Sequence, residues 1–159
     1  MTIISIASML VASGFCDVKP CVSHDVDESA HMVREACGDG PRSEPSGYEC
    51  AAAVAAVWYM EARFRLYPRH RRGDGCGPGQ QLPGRWGNSR VGYGMTPTCD
   101  RLRVPAVGLA WAVKALRAKA QRVHSMWGLL RAYNGHPRHR DRYGRRGLAI
   151  YLRAMEVAR

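Results

Sequence analysis

No run of this 159-residue sequence approaches the length and hydrophobicity of a membrane-spanning helix, so no helical span is expected within it. Lysine is nearly missing: 21 of the 24 basic residues are arginine. Acidic residues number only 13, which leaves a net charge of +11. The six cysteines, at positions 16, 21, 37, 50, 76 and 99, include no C-x-x-C pair, and His24 and His31 lie near them without a zinc-finger spacing. Neither a metal nor any other cofactor is therefore expected. No segment alternates convincingly as a strand, except for a short candidate hairpin near Gly87 to Tyr93. No helix-turn-helix, finger or aromatic RNA-binding signature accompanies the arginines. These absences leave an all-α chain with at most a minor hairpin.

An apolar content of 46% is too high for disorder, and the length suits one domain with a single core. The positive charge implies an anionic partner: nucleic acid, a membrane surface or bacterial cell wall. The basic residues are scattered apart from Arg69 to Arg72 and Arg138 to Arg146, and charge does not choose among these partners. Residues 1–15 form an apolar opening without Lys or Arg. Val11-Ala12-Ser13-Gly14 would serve as a signal cleavage site, but the positive start of a secretory signal is missing, so an N-terminal helix packed on the domain is the expectation. An even cysteine count permits disulfides in an oxidising compartment, with fifteen connectivities open.

Helical signals divide the chain into N-terminal helices over residues 1–45 and a domain over residues 46–159, together one structural unit. Asp25 and Glu28 open a helix that closes at Cys37-Gly38. Ser46 and Glu49 make a second capping box, S-x-x-E, after Pro45. The Ala- and Val-rich run from Ala51 to Met60 favours an uninterrupted helix, which Phe64 and Leu66 carry on until Pro68 stops it. Asn88 to Asp100 is polar and turn-rich and is expected to form one wall of a groove. Pro105 suits a first helical turn, with Leu109, Val113, Leu116 and Ala120 repeating at core spacing. Met126, Leu129, Leu130 and Tyr133 mark the next helix, and Gly147, Ile150, Tyr151, Ala154 and Ala158 a closing one.

One residue breaks the pattern. Val54, Val57 and Trp58 fall at i, i+3 and i+4, and the next position of that stripe is Glu61. Two readings are open: a solvated Glu near a helix end, or a carboxyl whose pKa burial against Trp58 raises into the range of a general acid. After it comes Gly73-Asp74-Gly75-Cys76-Gly77-Pro78-Gly79-Gln80-Gln81-Leu82-Pro83-Gly84-Arg85-Trp86, with five Gly and two Pro in fourteen residues, which is neither helix nor central strand. Such a loop lets backbone approach a ligand, and Gln80, Gln81 and Trp86 suit hydroxyl and acetamido groups.

Glu61 followed by G-P-x-Q-x-x-P-G-x-W, here Gly77 to Gln80 and Leu82 to Trp86, resembles the catalytic segment of the soluble lytic transglycosylases and goose-type lysozymes. Ala132-Tyr133-Asn134-Gly135 is similar to the A-Y-N-x-G-like motif that closes the same site in that family. Order and rough spacing agree over residues 46 to 157. The resemblance implies a lysozyme-like all-α domain that cleaves peptidoglycan glycan strands at the β-1,4 bond between N-acetylmuramic acid and N-acetylglucosamine. It implies Glu61 as catalytic acid and Gln80, Gln81, Trp86, Tyr133 and Asn134 as substrate-side residues, with Gln80 on the sugar, Tyr133 on Glu61 or the substrate, and Asn134 shaping the turn. The family usually has Ser after the Glu; here it is Ala62, which puts a secondary contact in doubt.

Lytic transglycosylases work with one carboxylate, whereas goose-type enzymes carry acidic residues just after the catalytic Glu. Asp74 is the candidate second carboxylate, ahead of Asp100 and Asp141, and its alternative is an ordinary turn residue in G-D-G. The expectation is a monomeric lytic transglycosylase acting on the bacterial wall, of a phage lysis or virion-associated kind. The alternatives are a goose-type lysozyme that hydrolyses the same bond with help from Asp74, and a non-enzymatic basic module binding nucleic acid.

Overall fold

A helix of small residues forms the centre of the molecule. Helix α1, Cys50–Ala62, is buried along nearly its whole length: every residue from Cys50 to Tyr59, and Ala62, is shielded from solvent. A helix that is apolar all round belongs inside a core, and its Ala and Val side chains let neighbouring helices come close. The computed structural model describes residues 32–33, 35–38, 49–64, 74–84, 95–135 and 138–157. Around α1 stand α2 (Cys99–Arg103), α3 (Pro105–Ala120), α4 (Met126–Asn134) and α5 (Arg140–Val157). Helix α1 packs on α3 and α5, α5 also packs on α4, and α3 touches α2 and α4. Cys76 and Gln81 form an isolated antiparallel bridge. The fold is mainly helical, as expected. No described helix is long and apolar enough to cross a membrane.

The expected core positions hold. Leu109, Val113 and Leu116 of α3, Leu129 and Leu130 of α4, and Ile150, Tyr151 and Ala154 of α5 are all buried with α1 in one cluster. Pro105 occupies the first turn of α3. Ser125 caps α4 by accepting from the Gly128 N–H, and Gly135 ends it with φ 68°. Residues 32–33 and 35–37 are helical up to Gly38, where φ is 77°. Ala158, the candidate hairpin near Gly87 to Tyr93 and residues 1–15 lie outside the described residues.

Four expectations need correction. The capping residue of α1 is Glu49 rather than Ser46: its carboxylate accepts from the Ala52 N–H at 3.2 Å, so the helix opens at Cys50. The Glu49 N–H in turn donates to the Tyr151 hydroxyl at 3.1 Å, tying the start of α1 to α5. At the other end α1 stops at Ala62, short of Phe64 and Leu66. Arg63 and Phe64 both turn left-handed, with φ 52° and 59°. That reversal brings the Phe64 ring back onto Trp58 and Tyr59, at 5.5 and 5.3 Å between centroids. Ring packing offsets a backbone conformation that non-glycine residues rarely adopt. The stripe through Val54, Val57 and Trp58 marks no single face, since the residues between them are buried too. Finally, the turn-rich segment before Pro105 ends in a helix: α2 carries Asp100 in its first turn and Arg101 and Arg103 in its last, as the helix dipole favours.

Among the described residues, two disulfides fasten this frame. Cys37–Cys50 joins the N-terminal helical residues to the start of α1, and Cys76–Cys99 joins the glycine-rich loop to the start of α2.

Candidate active site

Glu61 lies in the last turn of α1, the one carboxyl on a helix otherwise made of apolar residues and a tyrosine. Its side chain is largely withdrawn from water, and burial raises its pKa from the ordinary 4.5 to about 7. The charged form loses hydration that the surroundings do not replace. One group works the other way: the hydroxyl of Tyr143, in the first turns of α5, favours the ionised carboxylate. Burial, followed by the nearby Glu61 and Tyr133, holds the Tyr143 pKa well above its usual value, so this hydroxyl keeps its proton. It is buried without a hydrogen bond of regular geometry. The hydroxyl is close enough to Glu61 to favour its ionised form. The acid is thus poised near neutrality with a donor beside it.

The loop over residues 74–84 packs on α2, α3 and α4. The Cys76 N–H donates to Gln81 O at 2.9 Å and the Gln81 N–H to Cys76 O at 3.1 Å, closing a turn in which the Gln80 N–H reaches Gly77 O at 3.0 Å. Gly77 has φ 71°, and a Cβ there would stand 1.9 Å from the Leu102 carbonyl oxygen. A Cβ on Gly79 would stand 2.8 Å from the Ala112 Cβ and 3.1 Å from the Tyr133 hydroxyl. The glycines therefore let the loop backbone press directly on α2, α3 and α4.

Tyr133 and Gln81 lock the loop in place. The Tyr133 hydroxyl donates to Gly79 O at 2.8 Å and accepts from the Gln81 side-chain amide. That amide also donates to Gly79 O at 3.2 Å, and Gln81 is buried. Both residues were expected on the substrate side; these contacts make them brackets between the loop and α4. The hydroxyl acting on Glu61 belongs to Tyr143. Gln80 turns its amide nitrogen to Gly77 O at 2.7 Å and leaves its Oε1 buried without a partner. Asn134, half-buried, is the last residue of α4 before Gly135. Trp86 lies outside the described residues.

Asp74 is exposed at the loop's start, and the shift of Glu61 has burial and Tyr143 as its causes, not a second carboxylate. Asp100 pairs with Arg103 at 3.3 Å and Asp141 with Arg131, both on the outer surface. Among the described residues no three of His, Cys, Asp and Glu gather as metal ligands would.

Tyr143 was not among the expected site residues, although a signal for it exists. The inward stripe of α5, Gly147, Ile150, Tyr151 and Ala154, extends one turn back to Tyr143 at i−4 from Gly147. Compared with known proteins, the chain matches no family model, no curated protein and no solved structure.

Proposed function

We propose that this chain is a peptidoglycan lytic transglycosylase in which Glu61 is the sole acid and base. The carrying observation is Glu61 itself: a carboxyl withdrawn from water, with a pKa of about 7, beside a protonated tyrosine and close to the core. A group that titrates near the working pH can both give and retake a proton, which a single-carboxylate reaction requires.

In the first step Glu61 gives its proton to the glycosidic oxygen as the bond to the N-acetylmuramic acid C1 breaks. The leaving N-acetylglucosamine departs as an alcohol, and positive charge develops at C1. The Tyr143 hydroxyl stabilises the carboxylate that this leaves behind. In the second step the carboxylate takes the proton of the same sugar's 6-hydroxyl, whose oxygen bonds to C1 and closes a 1,6-anhydro ring. Glu61 ends protonated, ready for another turn. An intramolecular hydroxyl competes well with water because it is already attached.

Exposure of Asp74, and its absence among the causes of the Glu61 shift, favour this route over hydrolysis assisted by Asp74. The two disulfides suit a protein that works in an oxidising compartment, at the cell wall, as a phage lysis or virion-associated enzyme does. The resemblance in the Glu61, Gly77 to Gln80 and Tyr133 segments supports the substrate class. Replacing Glu61 by Gln tests the reading: loss of a general acid lowers the rate by ~10²–10⁴ on purified walls. Wall cleavage that persists at near wild-type rate in that variant would remove the proposal's foundation.

A further inference from the structure

The outer face of α5 carries charge in the reverse of the order that helix electrostatics favours. Arg140, Arg142, Arg145 and Arg146 are exposed in its first two turns, while its last turn holds no basic residue. Arg140 and Arg142 stand in the first turn, at the positive end of the helix dipole, and are disfavoured there by their own helix. Arg142 also faces Arg145 and Arg146 at i+3 and i+4, where like charges repel. The one acid of the first turn, Asp141, is already engaged by Arg131 of α4. Further along, Arg153 is engaged by Glu156 at 2.8 Å. Among the described residues, none of the four N-terminal arginines makes an ion pair that would relieve this crowding.

An arrangement that destabilises its own helix is relieved by an external anion, and all four cations are guanidinium groups. Guanidinium presents paired donors that match phosphate in a bidentate manner, which an ammonium does not. We propose that the Arg142–Arg145–Arg146 face of α5 docks a phosphodiester-linked polyanion of the cell wall, anchoring the protein beside the glycan it cleaves. The identification of that polymer with the wall rests on the function proposed above; the phosphate chemistry rests on the face alone. Tyr143, which lies beside Glu61, is buried in the same two turns while the arginines are exposed, so the anchor stands on the solvent side of the helix that flanks the acid.

The test uses the inactive Glu61→Gln protein, so that binding is read without cleavage and stands apart from whether the chain is an enzyme. Its cosedimentation with walls bearing phosphodiester polymers is compared with that on the same walls stripped by hydrofluoric acid. Stripping, soluble polyphosphate as competitor, or the triple change Arg142→Gln, Arg145→Gln and Arg146→Gln should each weaken binding about tenfold or more, equivalent to about 1.4 kcal/mol. The triple variant should melt no lower than its parent, since it removes repulsion. Equal binding to stripped walls, or full binding by the triple variant, overturns the proposal. So does a stronger gel shift with duplex DNA than with the wall polymer at equal salt, which would assign the face to nucleic acid.

Discussion

Tyr143 of α5 approaches the carboxyl of Glu61 on α1 and counters, without reversing, the effect of burial on that acid. The relation joins the two helices whose packing encloses the site, so the acid's pKa depends on how α5 seats against α1.

Removing this hydroxyl gives the first prediction. In Tyr143→Phe the carboxylate loses the group that favours its ionised form, so the Glu61 pKa moves above 7. The general acid is active while protonated, so the alkaline limb of the pH–rate profile shifts to higher pH. The maximal rate falls at the same time, because the carboxylate formed on bond cleavage is less stabilised. An alkaline limb that stays in place would separate Tyr143 from the acid's chemistry.

The second prediction concerns stability. Glu61 has its pKa raised on folding, from 4.5 to about 7, so between these values the folded state holds a proton that the unfolded chain has released. Stability from this residue is complete below pH 4.5, falls as pH rises, and is lost by about pH 7. The size is at most about 3 kcal/mol, at 1.36 kcal/mol per unit. Glu61→Gln carries no such proton linkage. Urea denaturation at pH 8 should find it more stable than wild type, with the two closer together at pH 4.5. A variant less stable than wild type at pH 8 would speak against the burial of this carboxyl.

A third prediction follows from the loop. Gly77→Ala must move either the loop or the Leu102 carbonyl, because φ is 71° and the added Cβ would meet that oxygen at 1.9 Å. We expect a loss of about 2 kcal/mol or more in denaturation, within the range for strained backbone substitutions. Gly84 also has positive φ, but a Cβ there meets nothing within 4 Å, so Gly84→Ala should cost less. Equal losses at both positions would mean that the close approach to Leu102 carries no weight.

The Cys76–Cys99 disulfide supplies a fourth. It ties the loop to α2 at one edge while Tyr133 and Gln81 hold it at another. The double change Cys76→Ser and Cys99→Ser should reduce stability by about 2–5 kcal/mol, as loss of a native disulfide commonly does. Wall cleavage should fall along with it. A thermal melt and a turbidity assay on the same preparation read both effects.

How much of this was legible in the sequence varied with how local the cause was. Helix α3 was readable because Pro105 and the spacing of Leu109, Val113 and Leu116 are local signals. Glu61 stood out because a carboxyl is rare on so apolar a run, although the helix proved buried on every side. The end of α1 was not readable, since Arg63 and Phe64 bear no residue-type sign of a left-handed turn; the cause is where the Phe64 ring packs. Gln81 was expected on the substrate side for its amide in the glycine-rich loop and Tyr133 for the motif it resembles; the hydrogen bond between them depends on how the loop meets α4 in three dimensions. The pairing of Cys76 with Cys99 was likewise one among many until the loop met α2.

The most direct measurement is the mass of the glycan ends released when purified peptidoglycan is digested. A single-carboxylate transglycosylase releases 1,6-anhydro-N-acetylmuramic acid ends, one water lighter than hydrolytic products, and these should disappear in Glu61→Gln. Free reducing ends that vanish in Asp74→Asn would contradict a single-carboxylate reaction, and would put a hydrolysing goose-type enzyme with two carboxylates in its place.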